Sequence, residues 1–258
     1  MTVAVAIGLL IGALIGLLGG GGSILAVPAL VYAAGQSLPQ AVATSLLVVG
    51  VTALVALVPR VRTGQIAWRI GALFGAAGAV TAFAGAAVNR LLPDGVVLGL
   101  FAALMIAAGA RMLREQPDTG AACATDGGPV NWRRCLPRTI AGGLVVGFLT
   151  GLLGVGGGFV IIPVLVIALG LPMTTAIGTS LFIVAANSAA GFAAHVGEVT
   201  LDVPVTVAFA TSAVLAALVA GRLGAGMDTA RLRRWFAYLV FAVAAFILVQ
   251  LTAGAIGP

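Results

Sequence analysis

Apolar runs of about 18 residues or more follow one another along nearly the whole chain, separated by short connections that carry most of the charge. The runs lack the polar face that a surface helix of a soluble fold needs, so the pattern predicts an all-α polytopic membrane protein. Two Gly-interrupted apolar stretches, at 5–34 and 139–170, each precede three ordinary spans. These spans are 40–58, 67–88 and 94–113 in the first half, and 174–194, 203–220 and 231–252 in the second. Pro39, Pro93 and Pro204 fall near the predicted helix starts, where the missing N–H leaves no bond unmade. Residues 115–138, rich in Pro, Gly and charge, form a polar linker between residues 1–114 and 139–258.

The two halves are related in sequence. At an offset of 135 residues, Gly16 to Val31 (GLLGGGGSILAVPALV) aligns with Gly151 to Val166 (GLLGVGGGFVIIPVLV), with nine of sixteen positions identical. The same offset pairs Thr44, Ser45 and Leu46 with Thr179, Ser180 and Leu181. Repeats of this kind in membrane transporters often place binding elements between the halves.

Composition narrows the chemistry. Of 258 residues, 61% are apolar and 8% are charged, against roughly a quarter charged in soluble domains. All 13 basic residues are Arg, and the absence of Lys excludes a Walker A loop, a Schiff-base cofactor and a retinal linkage. One His and two Cys make no dense metal-ligand cluster, so neither cofactor nor metal is expected. The net charge of +6 sits beside apolar segments without interleaved aromatics, which reads as a topology signal and not as a nucleic-acid surface. Met1 and Thr2 precede the first run without the basic region of a cleavable signal, so that run is expected to stay as structure.

The arginines also discriminate between two topologies. If each Gly-interrupted stretch crosses once, eight arginines fall on one side and Arg90, Arg222, Arg231, Arg233 and Arg234 on the other. If each is a hairpin, every arginine except Arg90 shares a face, and the positive-inside rule selects this arrangement. Each half then crosses an odd number of times, giving two inverted-topology repeats with both termini periplasmic and the linker cytoplasmic. An arm of about 14 residues reaches roughly 21 Å into a core of roughly 30 Å, so the hairpin tips stop inside the bilayer. Cys123 and Cys135 fall on the cytoplasmic linker, where thiols stay reduced, and no structural disulfide is expected.

At the tips, Gly20, Gly21, Gly22 and Ser23 and their counterparts Gly156, Gly157 and Gly158 break the helix at membrane depth. Such backbone is tolerated against protein or a water-filled cavity. The helix that restarts after each turn offers unpaired N–H groups suited to an anion. Depth arithmetic sets the second tip level with Thr44 and Ser45, and the first tip level with Thr179 and Ser180. Asn187 falls near the second tip and is a span amide in need of a partner. His195, followed by Glu198 and Asp202 at the outer end of a span, is the candidate for proton coupling. No acidic residue falls in the middle of a span.

The paired motifs GLLGGGGSILAVPAL with ATSL, and GLLGVGGGFVIIPVL with GTSL, resemble the sulfite exporter TauE/SafE family of bacterial membrane proteins. The resemblance covers nearly the whole chain. It implies a non-enzymatic transporter in the bacterial inner membrane for small sulfur-containing anions, sulfite or an organosulfonate such as sulfoacetate. The expected oxyanion cradle is Gly20 to Ser23, Gly156 to Phe159, Thr44, Ser45, Thr179, Ser180 and Asn187. Ser23 stands where the second copy has Gly158, so the half-sites are not equivalent. The expected partners are the small anion and the lipid bilayer, with no nucleic acid and with homo-oligomerisation left open. A channel, or the membrane subunit of a larger assembly, is the alternative. An intramembrane hydrolase is disfavoured because Ser23 and His195 fall at opposite ends.

Overall fold

The computed structural model describes residues 2–19, 26, 30, 38–89, 91, 94–113, 123, 132–153, 158–195, 202–225 and 228–254. Among them every regular element is an α-helix. The first half contributes α1 (Thr2–Leu18), α2 (Leu38–Arg62), α3 (Trp68–Asn89) and α4 (Asp94–Leu113). The second contributes α5 (Trp132–Leu153), α6 (Gly158–Ile167), α7 (Met173–His195), α8 (Val203–Ala225) and α9 (Thr229–Gly254). The ordinary spans form where the apolar runs predict them. Pro39 and Pro204 sit at the second positions of α2 and α8, where no intrahelical N–H bond is lost.

Length separates two kinds of helix. At 1.5 Å per residue the 20 residues of α4 reach about 30 Å, the thickness of a hydrocarbon core, whereas the ten residues of α6 reach about half of that. The segments Ala43–Arg62 and Val203–Leu223 are each long and apolar enough to cross a bilayer. Large apolar side chains point outward from several helices: Phe83 is 81% exposed and Val80 71%, and Leu215, Val219 and Leu223 line the outside of α8. An outward apolar surface of this kind fits lipid as its solvent.

The halves exchange partners. The leading helix of each half packs against a helix of the opposite half, α1 on α8 and α5 on α3, while α2 packs on α7 and α4 on α9. Chain directions follow from which residues meet. Gly8, Gly12 and Gly16 of α1 lie against Ser212, Ala213 and Ala217 of α8, so this pair runs parallel. Gly143 meets Phe74, Gly147 meets Gly78, and Phe148 meets Gly85, so α3 and α5 are parallel too. By contrast Gly50, midway along α2, touches Ser188 late in α7, whereas Gln65 and Ala67, just past α2, meet Gly178 and Thr179 early in α7. The α2–α7 pair is therefore antiparallel.

Close approach explains the glycines of these interfaces. A Cβ at Gly147 would fall on the backbone of Gly78, so the α3–α5 contact exists because both positions lack a side chain. Without a hydrophobic force between helices in lipid, such backbone proximity and the dispersion contacts it permits supply the attraction. The Thr81 hydroxyl adds a bond across the same interface, donating to the Leu144 carbonyl at 2.7 Å.

Two expectations change at the linker. Helix α5 starts at Trp132, so the residues from there to Arg138 are helical. Cys135 and Thr139, one turn apart, face the core, and the Thr139 hydroxyl donates to the Cys135 carbonyl at 2.9 Å. Contrary to the expectation of free thiols, Cys123 and Cys135 form a disulfide. That expectation rested on compartment, whereas the geometry follows from docking. The Cys123 N–H donates to the Leu169 carbonyl beyond α6 at 3.1 Å, which brings the two Cα atoms to 4.9 Å, within disulfide range.

Two measurements check this packing. Gly147→Leu is expected to lower the thermal midpoint of the detergent-solubilised protein by the equivalent of about 3 kcal/mol, or to prevent folding, as overpacking against backbone does; an unchanged midpoint refutes the close approach. Alkylation of the denatured, unreduced protein is expected to find no thiol, and alkylation after reduction to find two.

Candidate functional site

The site is built around Ser180, in the second turn of α7 and completely buried. Its hydroxyl lies 2.8 Å from the Gly19 carbonyl and 3.5 Å from the Gly158 carbonyl, and donates to them. Gly19 closes α1, and Gly158 opens α6 after the second glycine turn. One hydroxyl thus ties the described ends of both glycine-rich turns together.

The local reasons are conformational and steric. The Gly19 N–H still bonds to the Ile15 carbonyl at 2.8 Å, but its φ of +66° turns the chain out of the helix in the left-handed region that glycine tolerates. A Cβ there would also come within 2.6 Å of the Ile177 side chain on α7. Gly19 therefore permits both the reversal and the approach that lets Ser180 reach its carbonyl. On the other side, α6 begins at Gly158, and its first N–H groups have no acceptor within their own helix.

The matching hydroxyls of the two repeats are bonded unequally. Thr179 is fully buried, and its Oγ1 accepts the Ala67 N–H at 3.0 Å, fastening the α2–α3 connection to α7. Thr44, its repeat counterpart toward the other end of the α2–α7 contact, is equally buried, yet its Oγ1 has no hydrogen-bond partner among the described residues. Such a group is destabilising unless something else occupies its lone pairs and proton. Ser45 is buried beside it on α2.

The predicted residues are partly brought together. Ser180 meets the end of α1 through the Gly19 carbonyl and also lies beside Gly158, which the depth estimate sets level with Thr44 and Ser45 instead; Thr179 bonds to Ala67. Helix α6 has ten residues, so Gly158 stands about 14 Å from its end. Asn187 is exposed on α7, two turns beyond Ser180, and takes no part in these contacts. Ser188 packs against Gly50. Gly20, Gly21, Gly22, Ser23, Gly156 and Gly157 lie outside the described residues, as do the side chains of Phe159 and His195 and the whole of Glu198. Asp202 caps α8: its Oδ1 accepts the Val205 N–H at 3.2 Å and its carbonyl accepts the Thr206 N–H at 2.9 Å.

Sequence reasoning reads Gly19 only as the start of the first glycine turn and Arg60 only as a topology charge, and it passes over Thr52 and Thr206. Gly19 begins the glycine run, and Thr52 is buried on α2 about 80° around the helix from Thr44. Thr52 and Thr206 are buried with hydroxyls that have no hydrogen-bond partner among the described residues. Among the described residues no group of three or more His, Cys, Asp or Glu side chains could hold a metal ion.

The sequence is similar to those of known membrane transporters. The family model for Sulfite exporter TauE/SafE matches residues 4–247. A probable membrane transporter protein of Xylella fastidiosa (strain Temecula1) is 34% identical over 253 residues, covering 96% of this chain and 95% of the relative. The probable membrane transporter protein YunE of Bacillus subtilis (strain 168) is 29% identical over 244 residues, 88% of each chain. A probable membrane transporter protein of Methanocaldococcus jannaschii is 26% identical over 201 residues, 76% of this chain and 72% of the relative. No solved structure matches.

Gly19→Ala tests the junction. Left-handed backbone and the Ile177 contact both oppose the added methyl, so the thermal midpoint is expected to fall by the equivalent of about 2 kcal/mol. Gly64→Ala is the control, because Gly64 shares the positive φ but has open space around its Cβ position. Equal losses at the two sites would show that Gly19 matters for its φ alone.

Proposed function

The chain belongs to the sulfite exporter TauE/SafE family and is a multi-pass membrane transporter, and from that membership we propose that it exports a small sulfur-containing anion, sulfite or an organosulfonate such as sulfoacetate, across the bacterial inner membrane. The substrate's oxyanion sits between the two glycine-rich turns. The observation that carries this reading is the Ser180 hydroxyl shared between Gly19 and Gly158, because it gathers both turns at one buried place.

The roles divide by chemistry. Ser180 spends its proton on carbonyl oxygen, so it braces this junction; the donors to an anion at this half-site are the first N–H groups of α6, and the Thr44 hydroxyl is the donor of the other half-site. Gly20 to Ser23, Gly156, Gly157 and Phe159 supply the turn backbone, Ser45 and Thr179 flank it, and Asn187 lies farther along the outward path. His195 is the residue at which a proton would couple. With no Lys for a Walker A loop, the driving force is the membrane potential. When the inside is negative, it favours anion exit by about 2.3 kcal/mol per charge per 100 mV.

We read the two halves as inverted repeats, each a short-armed hairpin followed by three spans, with both termini periplasmic. Chain direction supports this over single crossings. Four crossings per half would run α2 and α7 the same way, whereas three crossings run them oppositely, as the contacts of Gly50 and Gly178 have them. The parallel pairs α1–α8 and α3–α5 are also what a hairpin entering from each side produces.

Reconstituted proteoliposomes test the reading. An imposed potential is expected to drive sulfite or sulfoacetate flux. Thr44→Val should lower kcat/KM roughly tenfold, the equivalent of one hydrogen bond of about 1.4 kcal/mol. Flux of a cation in place of either anion overturns the substrate class, and single-channel currents overturn the transporter mechanism in favour of a channel.

A further inference from the structure

All three tryptophans adjoin arginine in sequence and lie in the first two turns of a helix: Trp68 with Arg69 in α3, Trp132 with Arg133 and Arg134 in α5, and Trp235 with Arg233 and Arg234 in α9. An aromatic ring beside a cation suits the headgroup level of a bilayer, where apolar and wet surroundings meet. Two of these pairs come together in space. Helices α3 and α5 run parallel, so Arg69 and Trp132 reach the same end of their contact, and with Ala72 and Leu73 they line an open cavity of about 450 Å³. That volume is within the roughly 300–1,000 Å³ of small-molecule sites.

The cavity is held from behind and open in front. Trp132 packs against the core, and Trp68 meets Phe182 of α7 edge to face, with ring centroids 5.0 Å apart. Arg69 and Ala72 are exposed, and the Arg69 guanidinium has no hydrogen bond or ion pair among the described residues. From Arg69 an exposed line continues along α3 through Ala72, Ala76 and Val80 to Phe83, at steps of three and four residues that keep it on one side of the helix. Arg69 to Val80 spans roughly 17 Å, close to one leaflet of a hydrocarbon core of roughly 30 Å. An occupant that matches these walls is negative at one end and apolar along the rest. A small dissolved anion meets only the first condition.

We infer that this cavity binds an anionic phospholipid, with its phosphate on Arg69, Trp132 at headgroup depth and one acyl chain along the outer side of α3. Guanidinium and phosphate form charge-assisted, bidentate hydrogen bonds, and the aromatic wall and apolar line select for an amphiphile. Further positive charge stands nearby: Arg133 and Arg134 are exposed, and exposed Arg138 is level with Arg69 in the register that sets Gly143 on Phe74 and Gly147 on Gly78. In the hairpin reading this end faces the cytoplasm, whose leaflet carries the anionic lipids, and basic pockets between helices on that side suit their headgroups. The inference goes beyond anion transport and does not depend on it. A lipid here braces the start of α3, where Ala67 donates to Thr179 beside Ser180, so its occupancy is readable as stability.

Thermal unfolding of the delipidated whole protein in nonionic detergent, titrated with phosphatidylglycerol, tests the site, with phosphatidylcholine and soluble sn-glycerol 3-phosphate as comparisons. Phosphatidylglycerol is expected to raise the midpoint saturably, and the other two to leave it unchanged. Arg69→Gln is expected to raise the half-saturating lipid fraction at least roughly tenfold. Ala72→Phe keeps every charge but fills the cavity, and is expected to raise it roughly fivefold or more. Arg62→Gln, an exposed site at the end of α2 outside the cavity, is expected to stay within about twofold of the wild type. Equal stabilisation by phosphatidylcholine or by sn-glycerol 3-phosphate overturns the inference, the first in favour of any lipid and the second in favour of a free anion. A wild-type response in Ala72→Phe, or equal weakening in Arg62→Gln and Arg69→Gln, shows diffuse attraction to charge and overturns it too. So does a wild-type midpoint that phosphatidylglycerol does not move. Absence of anion flux overturns the transport reading alone and leaves the lipid site standing.

Discussion

Backbone that leaves the helix inside a bilayer must find partners for its N–H and C=O groups, and this requirement shapes the whole molecule. The glycine-rich segments follow α1 and precede α6, and the Gly19 carbonyl lies past the end of α1 with no further turn of that helix to accept from. The Ser180 hydroxyl donates to it at 2.8 Å and also lies 3.5 Å from the Gly158 carbonyl. To do so α7 must lie between the turns, and α7 is held there by its antiparallel contact with α2 and by the Thr179 bond to the α2–α3 connection. The junction that results is buried and adjoins the N–H groups that open α6. In the proposed function, the contacts that brace broken backbone and the groups that hold the anion belong to one arrangement.

Polar groups fall into two sets once the contacts are known. Thr179, Ser180, Thr139 and Thr81 spend their hydroxyls on carbonyls or accept a backbone N–H, and each joins two segments or stiffens one. Among the described residues Thr44, Thr52 and Thr206 make no such bond, and Arg60 makes one weak bond with its side chain. Sequence counterparts can therefore differ in role: Thr179 is structural in its bonding, while Thr44 at the matching repeat position remains available. The asymmetry is in keeping with Ser23 standing opposite Gly158 in the repeat, which already distinguishes the half-sites.

Much of the fold was legible because lipid leaves few solutions. Span positions follow from apolar run length, and α4 begins and ends where its run does. The hairpin topology is a reading of arginine placement, to which the antiparallel α2–α7 contact lends support. Depth arithmetic placed Thr179 and Ser180 beside the first turn, but it assumed equal arms, and the ten-residue α6 brought the second turn to the same hydroxyl. Asn187 was attractive as a polar residue in a span, yet helical phase put it on an open side of α7, which residue type alone does not reveal. The disulfide was missed for a different reason. Compartment was allowed to decide, while the docking of Cys123 on the Leu169 carbonyl depends on the path of a polar linker that has no periodicity to read.

The exchange of partners between halves bears on how the protein is made. Gly12 on α1 rests on Ala213 of α8, roughly two hundred residues later in the chain. During synthesis α1 enters the membrane with its glycine ridge uncovered and stays so until almost the entire polypeptide has left the ribosome. Neither half contains the mate of its own leading arm, so assembly completes late and as a whole, and any insertase or chaperone that assists it must shield that ridge through most of translation.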